Sequence, residues 1–201
     1  MPHRPRATLA TLALVAVALM GCASAGAPAD GHGDAHGGHG APASSAEAST
    51  ASDADVAFAA MMIPHHEQAV EMAGIVLATP DLDPRVADLA VRIRDAQVPE
   101  IEQMRGWLEA WGVDADAHDG MEHGDDGMLS DDELADLEAA DGAAASRLFL
   151  EGMIAHHEGA VAMARTQLDD GADPDALALA TTIAATQQAE VDEMQELLEA
   201  L

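Results

Sequence analysis

Two pairs of adjacent histidines, His65-His66 and His156-His157, stand in the same twelve-residue setting. Met62 to Ala73 reads MIPHHEQAVEMA and Met153 to Ala164 reads MIAHHEGAVAMA, identical at nine of twelve positions with a constant offset of 91 residues. A phenylalanine precedes each first methionine by four residues, at Phe58 and Phe149. On a helix, residues three and four apart share a face. Met62, His65, His66 and Met72 then lie together on an apolar face, with Glu67 and Glu71 opposite. Met153, His156, His157 and Met163 repeat the arrangement. Imidazole suits copper, zinc, iron and nickel, whereas thioether selects soft metals such as Cu(I). The plain alternative is packing, since methionine fills irregular core gaps and a lone buried histidine is often structural. Four imidazoles are poor core filler, because burying each one costs free energy unless it is partnered. The doubled pattern therefore points to a metal site.

A second pattern repeats after each motif. Gln97, Glu100 and Met104 correspond to Gln187, Glu190 and Met194, at spacings of three and seven that put each set on one helix face. If they face inward, Glu100 and Glu190 are either hydrogen-bond partners for the imidazoles or ligands of a hard metal, with Met104 and Met194 as further thioethers. Ferritin-like di-iron sites use a Glu from two helices and Glu-x-x-His from the other two. This chain contains no Glu-x-x-His; Met62-x-x-His65 and Met153-x-x-His156 occupy that spacing. Replacing carboxylate by thioether shifts the preference from iron towards copper, above all Cu(I).

In these motifs the chain resembles the bacterial domain-of-unknown-function family 305, whose members carry paired helical HH-x-x-A-x-x-M sequences. The resemblance covers about residues 52 to 201. It implies a ferritin-like four-helix bundle and, because some members are extracytoplasmic copper-binding proteins, a copper ion as cofactor.

The elements that must hold these residues follow from caps and breakers. Ser52-Asp-Ala-Asp55 has the Ser-x-x-Asp form of a capping box and opens a first helix over about 53–78, with Pro64 predicting a kink rather than a break. Asp83-Pro84 caps a second helix to about Trp111, with Val86, Leu89, Ile93, Val98, Ile101, Met104 and Leu108 as its core. Residues 112–130 form a long Gly- and Asp-rich connection, read for most of its length as a solvated crossover linker, although connections this long are often functional or disordered. Ser130-Asp-Asp-Glu133 caps a short helix ending near Asp141-Gly142. The second motif rides on a helix over about 143–168, and Asp173-Pro174 opens the last helix to Leu201. The expected fold is all-α: a ferritin-like four-helix bundle built from two related helix hairpins, with a pseudo-twofold axis between them.

Ahead of the bundle, residues 1–22 look like an export signal. His3, Arg4 and Arg6 precede an apolar run that is too short for a bilayer span of about 20 residues. It ends in Leu19-Met20-Gly21-Cys22, which resembles the lipobox of bacterial lipoproteins. Cys22 is the only cysteine, so the chain has neither an internal disulfide nor a thiolate ligand. Residues 23–51 have the composition of a disordered tether. His32, His36 and His39 within it, and His118, Met121 and His123 in the 112–130 linker, are auxiliary metal-capture candidates.

Net charge is −29, with no lysine in the chain. Nucleic acid, which needs a basic surface, is excluded as a partner. The sequence offers no nucleophile–base set and no phosphate-binding loop, so it gives no reason to expect an enzyme. The reading is an exported, lipid-anchored protein at the outer face of the cytoplasmic membrane or in the periplasm, binding copper for sequestration or transfer. The expected partners are metal ions, the membrane through Cys22, and an envelope protein or a second copy of the chain. Two alternatives stay open: a ferritin-like di-metal redox protein, and a metal-free helical module that docks another envelope protein.

Overall fold

Capping residues place the helix starts. In a computed structural model, which describes residues 51–113 and 126–201, the helices are α1 (Asp53–Ala78), α2 (Pro84–Trp111), α3 (Asp131–Ala139), α4 (Gly142–Asp170) and α5 (Pro174–Glu199). Cys22, His32, His36, His39, His118, Met121 and His123 lie outside the described residues. Ser52 Oγ accepts the Asp55 N–H at 3.2 Å while the Asp55 carboxylate accepts the Ser52 N–H at 2.7 Å, closing both halves of the capping box. Ser130 and Glu133 do the same for α3. Asp83 and Asp173 cap α2 and α5, each followed by proline at the first helical position, where its missing N–H costs nothing. α2 ends on Gly112 at φ 73°, the left-handed conformation that glycine adopts without a Cβ clash. α1 and α2 run on through Pro64 and Pro99, each of which forfeits one helical hydrogen bond.

Packing pairs α1 with α2 and α4 with α5, and the two hairpins meet chiefly through α1 and α4, with the short α3 laid against both. Among the described residues there is no strand. The architecture is an all-α, ferritin-like four-helix bundle of two related hairpins.

Its interior is divided in two. One apolar cluster contains Met72, Val76, Leu89, Ile93, Phe149, Met153, Val191 and Met194; the other contains Phe58, Met62, Ile101, Met104, Leu108, Ala160, Leu179 and Ile183. The pseudo-twofold exchanges them, so that Phe58, Met62 and Met104 correspond to Phe149, Met153 and Met194. Each helix of the bundle contributes to both clusters, and each changes from one to the other across a buried polar position: His65-His66 on α1, Gln97 on α2, His156-His157 on α4 and Gln187 on α5. A single polar layer thus crosses the middle of the core.

The same symmetry governs the ends. Asp55, fully buried, reaches beyond its own capping box to accept the Ala172 and Asp173 N–H groups at 3.0 and 3.1 Å and the Gln167 side-chain amide at 2.5 Å, tying the start of α1 to the α4–α5 turn. Its counterpart Ser146 accepts the Asp83 N–H at 3.2 Å, tying α4 to the α1–α2 turn. One expectation fails on α2. Val98 is 40 % exposed, because the inward position on that turn is taken by Gln97 and the next residue lies about 100° further round the helix.

Candidate metal centre

The four motif histidines are fully buried. His65 and His156 meet across the α1–α4 interface with ring centroids 3.7 Å apart and planes inclined by 39°. His66 and His157 flank them, 6.5 and 6.4 Å from His65 and His156 respectively. Each outer ring is held by the second helix of its own hairpin: His66 Nε2 lies 2.8 Å from Glu100 Oε2, and His157 Nε2 lies 2.8 Å from Glu190 Oε2. His65 Nε2 lies 3.0 Å from the Asp126 carbonyl oxygen. Carbonyl and carboxylate oxygens accept, so these three Nε2 atoms carry the proton and each Nδ1 keeps its lone pair.

Those lone pairs have no protein partner. Nδ1 of His65, His66, His156 and His157 is buried and unbonded, as is His156 Nε2. An imidazole anchored through one nitrogen to a carboxylate or carbonyl, with the other nitrogen bare, is the arrangement by which histidine is oriented for a metal. Burial pushes the His65 imidazole down to about 4, against the pull of the Asp126 carbonyl, and drives His156 well below its ordinary value, the adjoining imidazoles adding to the effect. Both rings are therefore neutral near pH 7, the form that ligates.

Among the described residues no three His, Cys, Asp or Glu side chains gather as ligands of one ion. A centre built here on two imidazoles needs another donor type, and the buried methionines are adjacent. Met62 and Met153 are fully buried, one turn before the histidines of their own helices. Met72 is also fully buried, but in the cluster of Met153 and Met194; Met163 is half-buried at the edge of the cluster of Met62 and Met104. Thioethers thus come in two groups, one on either side of the polar layer, each drawing on both motifs. Glu100 and Glu190 take the role of imidazole partners.

The symmetry is broken by the segment Asp126–Leu129, which crosses α1 and α4 at the level of His65. Gln68 holds it at both ends of its amide, donating to Leu129 O at 2.9 Å and accepting from Leu129 N at 2.7 Å. On α4 the counterpart of Gln68 is Gly159, and a Cβ there would fall 1.6 Å from the Asp126 carbonyl oxygen. Gly127, at φ 77°, would likewise drive a Cβ to 2.0 Å from Ala155 O. Positions 64/155, 68/159 and 71/162 are the three at which the two motifs differ, and the first two lie where the strap crosses. This crossing, and the unpartnered amides of Gln97 and Gln187, went unread in the sequence; the Gln-to-Gly difference between the copies was the signal for the first.

Fold and site together define an α-helical bundle with a buried layer of imidazoles whose Nδ1 atoms have no protein partner. The chain belongs to the family described as Domain of unknown function (DUF305), whose model matches residues 55–198. It is similar to a DUF305 fragment from Deinococcus radiodurans, at 34% identity over 75% of this chain and 99% of that chain with a TM-score of 0.67. CopM in its Cu(II)-bound form is 32% identical over 73% of this chain and 96% of that chain, with a TM-score of 0.63. The Cu(I)-bound form of CopM gives 28% identity over 73% and 96%, with a TM-score of 0.61. No curated protein matches the chain.

Proposed function

We propose that this protein binds copper, most tightly as Cu(I), in the middle of its bundle, and that it sequesters or passes on the ion outside the cytoplasm rather than catalysing a reaction. The observation that carries the reading is the set of four buried Nδ1 atoms without partners, three of them on rings already anchored through Nε2. Two imidazoles from His65, His66, His156 and His157 would hold an ion, with thioethers from Met62 and Met163 on one side of the layer or Met72 and Met153 on the other supplying the soft donors that favour Cu(I). The relationship to CopM, solved with copper in both oxidation states, supports the same metal. Export and anchoring through Cys22 rest on the lipobox-like start; among the described residues no helix is long and apolar enough to cross a membrane.

The test is competitive titration of residues 52–201 with Cu(I) against a chelator. Replacing the four histidines by glutamine should abolish tight binding. Met62→Leu with Met153→Leu should weaken Cu(I) far more than Zn²⁺, for which thioether is a poor ligand, while costing the fold less than about 1.5 kcal/mol per site. Equal, weak binding by wild type and the histidine variant would leave the motifs as core packing.

A further inference from the structure

The polar layer has a second half that the histidines do not explain. Gln97 and Gln187 are each 3 % exposed. Gln97 Nε2, Gln97 Oε1 and Gln187 Oε1 are buried without partners. Their neighbours along the core are aliphatic: Ile93 and Ile101 on α2, Ile183 and Val191 on α5. Leucine in their place would complete both apolar clusters, whereas an unpaired buried amide is a standing cost. The two residues stand level with each other. α2 and α5 run past one another with Arg92 bonded to Glu193 on one side of that level, and with Glu100 and Thr186 lining one groove on the other. Gln97 also lies one turn before Glu100, whose carboxylate holds His66.

We infer that Gln97 and Gln187 are further binding residues of the same centre, their amide oxygens supplying the oxygen donors that let it accept Cu(II) as well as Cu(I). The inference rests on the copper reading above and deepens it. Mixed nitrogen and oxygen donors suit Cu(II), whereas Cu(I) is served by thioether and imidazole. One layer then offers soft sulfur towards either apolar cluster and hard oxygen on the α2–α5 side.

The experiment uses the full chain carrying His3→Ser, His32→Ser, His36→Ser, His39→Ser, His118→Ser and His123→Ser, so that histidines outside the bundle contribute nothing. Into this background go Gln97→Leu, Gln187→Leu and both together. Cu(II) and Cu(I) affinities are measured by competition, with the electron paramagnetic resonance spectrum of the Cu(II) form and the thermal midpoint of the metal-free form. The double variant should lose at least tenfold in Cu(II) affinity and change its copper hyperfine splitting, with Cu(I) affinity within threefold. Its metal-free midpoint should be unchanged or higher, since two unpaired amides are gone. Identical Cu(II) affinity and spectrum in a folded variant would overturn the inference and leave the copper reading standing. A parent that binds neither ion would overturn both. Should the leucine variants not fold, Gln97→Glu decides: a carboxylate there should tighten Cu(II) and alter the spectrum, and an unchanged spectrum refutes the role.

Discussion

His65 is neutral in the folded bundle because burial drives its imidazole down to about 4, while in the unfolded chain it titrates near 6.5. As pH falls below 6.5 the unfolded chain takes up the proton first. The metal-free protein is therefore most stable above that value and loses stability as pH falls towards 4, by up to about 1.4 kcal/mol per pH unit for this one group. Thermal midpoints measured between pH 7.5 and 4.5 should decline, and His65→Gln should flatten the slope. Glu100 and Glu190 make a different prediction. Each holds a ring by one bond of 2.8 Å, and losing such an outer partner lowers metal affinity by about 10- to 100-fold. Glu100→Ala with Glu190→Ala should show that loss in a Cu(I) titration with little change in helicity. These carboxylates were legible beforehand, because Gln-x-x-Glu recurs in register with the histidine motifs. The bare nitrogens were not. Whether a side chain finds a partner depends on atoms brought in from other helices.

Helix starts were legible from Ser52, Asp83, Ser130 and Asp173, since capping is a contact among residues three or fewer apart. Longer reach was not legible. Asp55 reads as half of a capping box, yet its carboxylate also gathers Gln167, Ala172 and Asp173. Burial alone would raise its pKa, but the bonds from Ser52, Gln167 and Ala172 outweigh it and hold the carboxyl at about 2. Its contribution is full above the unfolded value of about 3.9 and is lost as pH falls through 2, a window below that of His65. Asp55→Ala should cost about 2–4 kcal/mol in chemical denaturation, as a lost cap and two stranded turn N–H groups imply. A cost under about 0.5 kcal/mol would show that the turn is held by other means. The strap offers a cleaner separation of local and global effects. Gly159→Ala raises intrinsic helix propensity by about 1 kcal/mol but places a methyl where the Asp126 carbonyl lies. Amide exchange at Leu129 should accelerate while α4 stays protected.

Two apolar clusters, one on either side of the polar layer, give the bundle a core without any ion. Circular dichroism of residues 52–201 should be predominantly helical before metal is added, and copper should raise the thermal midpoint by mass action on a preformed fold. An apo form that is largely unstructured would contradict this. Hairpin pairing and its symmetry could be read from the 91-residue offset; how the layer splits the core required four helices in register. The offset also bears on how such a chain can change over generations. Two separate copies of one hairpin would carry the same residue at positions 68 and 159. A glycine small enough to admit the strap would then forfeit the glutamine that clamps it, and a glutamine would bar its passage. Joined in one polypeptide, the copies hold Gln68 and Gly159 at once. Covalent linkage lets a single face differ between the copies while the imidazoles beneath it remain a matched set.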